Sequence, residues 1–398
     1  MIKNKILYNN YSDYRFKMAK AEGSHIWDDK GKKLIDFTSG WNVTNLGWNH
    51  PEVNEAVAKQ AMDNVYCPMW AADESQESAA AELLKHLPSY FDTVIKTTSG
   101  TESVEVSIKL ARVATGRKKI LGYKNTYHGQ LFAAMALGFP ASDTNQIGPM
   151  VPDIIQMDYP NGASFATFID QLDQVLSKRE VAALITEPEM ITGWGSSLVA
   201  PQGYLKKIRE LTQKYGTLLI VDEVGTGFGR LGKMFGIEYS GITPDVMTFA
   251  KGMSNGSAAI GAVVTNQELV EPTIPLANYT STFGWTPIAC AGIKKSIEIH
   301  SREKYFEQVE GKSKLIKAML QDSSLVKEIR GIGLEIGVSF NNIENLLELE
   351  NIAFENGLHI INGGEGFIQL MPPLIIDNQV LKEGLNILLD SAQKIIQK

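Results

Sequence analysis

Cysteine is scarce, with two residues, Cys67 and Cys290, in a chain of 398. Two distant thiols make neither a disulfide framework nor a cysteine metal cluster, and a chain of this size needs no covalent staple. Both read as buried, reduced thiols. Positive charge is also in deficit. Lys and Arg number 38 against 45 Asp and Glu, a net charge of −7, which argues against the basic stripe of a nucleic-acid footprint. No apolar run approaches the roughly 18 residues of a membrane-spanning helix. Residues 1–10 lack the apolar core of a secretion signal, so the expected compartment is the cytoplasm, with neither membrane nor nucleic acid as partner. What is present, 44% hydrophobic and 21% charged residues, is the composition of a globular protein long enough for two or more packed units.

Residues 24–28 and 33–37 flank the turn Asp29-Lys30-Gly31 and predict a hairpin. His50-Pro51-Glu52-Val53 opens a helix to about residue 64, and 73–87 predicts another. From about residue 93 the pattern becomes strand, Gly-rich turn, helix. Strands are predicted at 94–98, 120–122, 154–157, 182–186, 218–221, 246–250 and 259–264, with a helix over 103–114. Such alternation predicts an α/β unit with a mostly parallel sheet. A helical stretch follows residue 287 and reaches about 308. Beyond about 313, strands near 333–340 and 368–371 among helices predict a separate α+β lobe.

Two of these strands end in a charge. Leu218-Leu219-Ile220-Val221 is followed by Asp222, and Pro244-Asp245-Val246-Met247-Thr248-Phe249-Ala250 by Lys251. In open α/β sheets ligands sit beyond the carboxyl ends of the strands. An acid and an amine delivered there suit pyridoxal 5′-phosphate (PLP), which needs a lysine for covalent attachment and a carboxylate on its pyridinium nitrogen. Thr97-Thr98-Ser99-Gly100-Thr101-Glu102-Ser103 joins a strand to a helix. Amide N–H groups at a helix N-terminus, with small hydroxyls and a glycine, can cradle a phosphate; the same residues also serve as plain caps. Tyr127, before His128-Gly129, could stack on a flat heterocycle or be a half-buried core aromatic.

Together these pieces resemble the class III (ornithine/4-aminobutyrate/ω-amino acid type) aminotransferases of PLP fold type I. The resemblance covers about residues 24–389. It is carried in order by Gly40-Trp41-Asn42-Val43-Thr44-Asn45-Leu46-Gly47 with His50-Pro51, Ser99-Gly100-Thr101-Glu102, Tyr127-His128-Gly129, Glu187-Pro188, Asp222-Glu223-Val224 with Thr226-Gly227-Phe228-Gly229-Arg230, Lys251-Gly252, Thr282-Phe283-Gly284, Arg330-Gly331-Ile332-Gly333 and Pro372-Pro373-Leu374. It implies a large domain, 49–290, with a mostly parallel seven-stranded sheet, and a smaller α+β domain from 1–48 and 291–398. It also implies roles. Lys251 would carry PLP and shuttle a proton; Asp222 would hold the pyridine nitrogen. Tyr127 and Val224 would sandwich the ring. Ser99, Gly100 and Thr101 would hold the phosphate, with His128 and Glu187 beside the cofactor. Thr282 would reach the phosphate of the neighbouring subunit, implying a homodimer with shared active sites. Trp41 would line the substrate pocket.

The chain departs from the ornithine type at three points. That type carries a glutamate five residues after the Glu of Glu-Pro, and an arginine three residues before Pro-Pro-Leu that binds an α-carboxylate; here Thr192 and Gln369 stand there. Gly225 replaces a glutamine beside the cofactor. Trp41, Trp48, Met69, Trp70, Met190 and Trp194 suggest a more apolar pocket. The expected activity is ping-pong transfer of an amino group from a primary amine or ω-amino substrate to a 2-oxo acid or carbonyl acceptor. The alternatives are an aminomutase of the glutamate-1-semialdehyde type, and a non-catalytic scaffold, against which the retained Lys251 and Asp222 argue.

Overall fold

The computed structural model describes residues 16–193 and 197–397; residues 1–10 and Trp194 lie outside them. Seven strands form the central sheet: β1 (Thr93–Thr97), β2 (Lys119–Tyr123), β3 (Ile154–Met157), β4 (Val181–Thr186), β5 (Leu218–Asp222), β6 (Val246–Phe249) and β7 (Gly261–Thr265). Their spatial order is β1-β7-β6-β5-β4-β2-β3. All run parallel except β7, which pairs antiparallel with both neighbours. The continuous apolar runs have a direct cause. Successive residues point to opposite faces, and both faces are covered. Leu219, Val221, Met247 and Phe249 pack into one core with Tyr204 and Trp285, while Ile220, Val246 and Val263 pack into another against Val104, Ile108 and Leu110 of the helix Gly100–Thr115.

That helix starts where the sequence places a cap. Ser99 is extended, and its hydroxyl accepts from the Glu102 amide at 3.1 Å. The Glu102 carboxylate in turn accepts from the Thr98 amide at 2.7 Å. One orphan donor of the first turn, and the amide of the residue before the cap, are thereby satisfied.

A second sheet is antiparallel, ordered Val326–Ile332, Glu335–Phe340, Phe367–Leu370, Ile361–Gly364. It shares a core with the helices Val309–Gln321, Leu346–Glu355 and Asn378–Ile396. The predicted hairpin is present as His25–Asp28 and Lys33–Asp36, extended outward by Met18–Glu22. Leu358–His359 adds to it in parallel, so the two ends of the chain meet in one sheet. The helix predicted to reach residue 308 spans Pro287–Glu303 and stops at Lys304, which is left-handed at φ 49°. Among the described residues no helix is long and apolar enough to cross a membrane.

Candidate active site

The parallel topology brings five strand ends to one edge of the sheet. β1 delivers Ser99, Gly100 and Thr101; β2 delivers Tyr127 and His128; β4 delivers Glu187; β5 delivers Asp222 and Val224; β6 delivers Lys251. Asp222 is the most fully held of them. Its Oδ2 lies 2.6 Å from His128 Nδ1, and its Oδ1 accepts from Thr248 Oγ1 at 2.9 Å and from the Val224 amide at 3.0 Å. Thr248 is its register partner on β6. Burial alone pulls the His128 pKa down, but the hydrogen bond and charge of Asp222 outweigh it and raise it. His128 Nε2 is buried without a partner among the described residues.

Lys251 follows β6 in a left-handed conformation, φ 47°. Among the described residues its Nζ makes no hydrogen bond and no ion pair. Burial lowers its pKa, against the opposing charges of Glu187, Glu335 and Asp222. Burial also pushes Glu187 up to about 7, with His128 opposing the rise and Asp222 adding to it. Glu187 accepts from the Thr192 amide at 3.1 Å and from the Thr192 hydroxyl.

Close approaches tie the strand ends together. A Cβ on Gly100 would lie 2.9 Å from a Val224 methyl, so the helix N-terminus sits directly against Val224. A Cβ on Gly225 would meet Thr192 Oγ1 at 2.5 Å, which leaves no room for the glutamine it replaces. Tyr127 is half-buried, its ring 5.6 Å from that of Phe139. Trp41 is 39% exposed, and Thr282 is exposed on the loop before the helix Pro287–Glu303.

The expectation of a more apolar pocket gains no support from its other members. Met69 and Trp70 face solvent on this chain. Trp48 is tied by its indole N–H to Asp36 Oδ2 at 2.8 Å. Met190 is buried in a two-stranded ribbon, Met190–Ile191 with Leu198–Val199. The charged groups acting on Lys251 include a further buried acid instead. Glu335 is fully buried, accepting from Asn42 Nδ2 at 2.6 Å and from Gln369 Nε2 at 2.9 Å. Sequence reasoning missed Glu335. Its one signal was a lone charge inside the apolar run Leu334-Glu335-Ile336.

Residues 7–391 match the aminotransferase class-III family. The chain belongs to that family. The acetylornithine aminotransferase of Methanopyrus kandleri is 33% identical to this class III aminotransferase over 384 residues, covering 96% of each chain. That of Bacillus subtilis strain 168 is 32% identical over 386 residues, again 96% of each. A Bacillus anthracis aminotransferase structure superposes with a TM-score of 0.90 at 29% identity, covering 98% of this chain and 95% of that one. At 24% identity the ornithine aminotransferase of Toxoplasma gondii, described with PLP partly occupying its active site, shares the fold, with a TM-score of 0.90 and coverage of 99% and 93%. The fold is that of PLP fold type I.

This class III aminotransferase catalyses transamination and uses PLP. The site fits that cofactor. An amine without a partner, a carboxylate at the end of the neighbouring strand and a capped helix N-terminus lie at the same edge of the sheet.

Proposed function

We propose that this aminotransferase acts on an amino group remote from, or without, an α-carboxylate, and passes it to a 2-oxo acid or carbonyl acceptor by a ping-pong mechanism. The observation carrying this reading is the surroundings of Gln369. Its Nε2 donates to Thr192 O at 2.8 Å and to Glu335 Oε1. Where ornithine-type enzymes pair an arginine with a glutamate, this chain has an amide, a threonine and a buried acid. The nearby Arg230 is fully buried, and its Nη1 and Nη2 are spent on Leu334 O, Pro372 O, Ser39 Oγ and Asn45 Oδ1. It offers no fork to a substrate carboxylate.

When bound, PLP supplies an electron sink for the carbon that loses its proton. The chain's own residues do the rest. Lys251 Nζ would carry the cofactor, and its lowered pKa favours the neutral amine that would take and return that proton. Asp222, fixed by His128, Thr248 and the Val224 amide, would accept the pyridine N–H and keep that nitrogen protonated. Ser99, Gly100 and Thr101, at a helix N-terminus, would hold the phosphate. Tyr127 and Val224 would flank the ring, Glu187 would support it, and Trp41 would border the substrate. Thr282 completes the phosphate site of a second copy in a homodimer.

The test is a panel of primary amines and ω-amino acids with pyruvate or 2-oxoglutarate. Release of a carbonyl product with consumption of the acceptor supports the reading. Return of an isomer of the substrate without an acceptor would replace it with an aminomutase.

A further inference from the structure

Glu335 is a buried carboxylate that makes no ion pair with any described cation. Burial pushes its pKa up to about 7, outweighing the opposing charges of Arg230 and Lys251 and the hydrogen bonds from Asn42 and Gln369. Such a charge is costly to hold unless something pairs with it. Its position is set from two sides. The register Gly337↔Gln369 places Gln369 diagonally across from Glu335 on the same face of the second sheet. Asn42 arrives from the other end of the chain, on a turn that no ordinary helix explains. Ser39, Gly40, Trp41 and Asn42 are all left-handed, at φ 47°, 58°, 68° and 64°. Left-handed backbone at a non-glycine residue costs roughly 1–2 kcal/mol, and such strain concentrates where a side chain must be aimed.

The hydrogen bonds fix which way both amides point. Asn42 Nδ2 donates to Gly225 O and to Glu335 Oε2. Gln369 Nε2 donates to Thr192 O and to Glu335 Oε1. Each amide nitrogen therefore spends both protons on oxygen, and flipping either would set oxygen against oxygen. The two amide oxygens, Asn42 Oδ1 and Gln369 Oε1, are left buried with no partner among the described residues. With Glu335 ionised, the cluster offers acceptors and, among the described residues, no free donor. It can bind an ammonium, which has three donors and no acceptor, and it repels a carboxylate.

We infer that Glu335, Asn42 and Gln369 form a specificity subsite that takes a second protonated amino group, so that the preferred amine donors are diamines. The inference rests on the transaminase reading above and adds the class of its donor. The subsite lies near enough to Lys251 for the Glu335 and Lys251 charges to act on one another. One amino group then reaches the reacting centre while the other is held by the acid.

The experiment uses PLP-loaded enzyme with pyruvate, and measures kcat/KM for putrescine and cadaverine against n-butylamine, n-pentylamine and the amino alcohols of the same length. Wild type is expected to favour each diamine over its matched monoamine by about tenfold or more, the scale of a charge-assisted hydrogen bond. Glu335→Gln is expected to shrink that ratio below about threefold, mainly through KM for the diamine. If Glu335→Gln does not fold, Asn42→Gly keeps the left-handed backbone, removes Oδ1 and carries the same expectation. A diamine-to-monoamine ratio near unity in wild type, a ratio that the substitution leaves intact, or amino alcohols used as well as diamines would overturn the subsite while leaving a working transaminase. No carbonyl product from any amine would instead sink the transaminase reading beneath it.

Discussion

An arginine introduced at position 369 tests the acceptor side of the pocket. In wild type Gln369 Nε2 lies 2.9 Å from Glu335 Oε1 and 2.8 Å from Thr192 O. Gln369→Arg alone therefore sets a guanidinium against Glu335, which neutralises it, and an incoming dicarboxylate gains little. Glu335→Leu removes that internal partner. The double variant Glu335→Leu/Gln369→Arg presents a buried, unpaired fork to the acceptor. A hydrogen bond to a charged group contributes about 1.5–3 kcal/mol, roughly 10- to 150-fold in a ratio of rates or affinities. A bidentate contact lies at the upper end of that range. The assay is kcat/KM for 2-oxoglutarate relative to pyruvate with one amine donor. Wild type is expected to prefer 2-oxoglutarate by less than about tenfold, and the double variant to move toward it by roughly tenfold or more. A wild-type preference for 2-oxoglutarate above about 100-fold would mean that another cation binds the second carboxylate, and the reasoning from Gln369 would be wrong.

Three further outcomes are expected. Asp222→Asn keeps the shape but loses the charge at the pyridine nitrogen; it should fold, still bind PLP, and lose turnover by roughly a hundredfold or more, and near-normal activity would refute the role. Glu187, Glu223 and Glu335 are each raised by burial from 4.5 to about 7, so between those values the folded chain holds protons that the unfolded chain has released. Their contribution to stability is full below about pH 4.5 and is lost as pH rises through about 7, while His300, held by burial at about 3, acts in the opposite sense as pH falls below 6.5. Tm measured across that range should therefore depend less on pH in Glu335→Gln than in wild type; an identical pH profile would contradict the assignment. Finally, Thr282 sits on the surface with Tyr66, Met69, Trp70 and Phe283. Sedimentation should show a dimer whose dissociation weakens PLP binding, and a monomer that keeps full activity on dilution would rule out shared sites.

The central sheet and its five functional strand ends were legible in the sequence because strands buried on both faces leave unbroken apolar runs, and the polar residue ending each run marks the carboxyl edge. Strand direction was not legible. β7 reads like its neighbours, yet it runs antiparallel to both. Met18–Glu22 is mostly exposed, so its Met-Ala-Lys-Ala-Glu lacks an apolar signature. Leu358–His359 is only two residues long and owes its strand to a partner more than 300 positions away. In the candidate site, Lys251, Asp222 and the Ser99-Gly100-Thr101 turn stood out by their places at strand ends. His128 was visible as a candidate, but its function as the partner that orients Asp222 depends on a contact 94 residues apart. Glu335 and Asn42 meet across 293 residues. Neither lies in a local pattern that could reveal the pairing, and the left-handed turn aiming Asn42 cannot be read from Ser-Gly-Trp-Asn.

The most direct test of the account is the location of the cofactor. Borohydride reduction of the yellow holoenzyme, followed by proteolysis and mass spectrometry, should fix PLP on one lysine, Lys251. Lys251→Ala should leave the protein folded but untagged. A cofactor mass on any other lysine, or a tag that survives in Lys251→Ala, would contradict the site as built here.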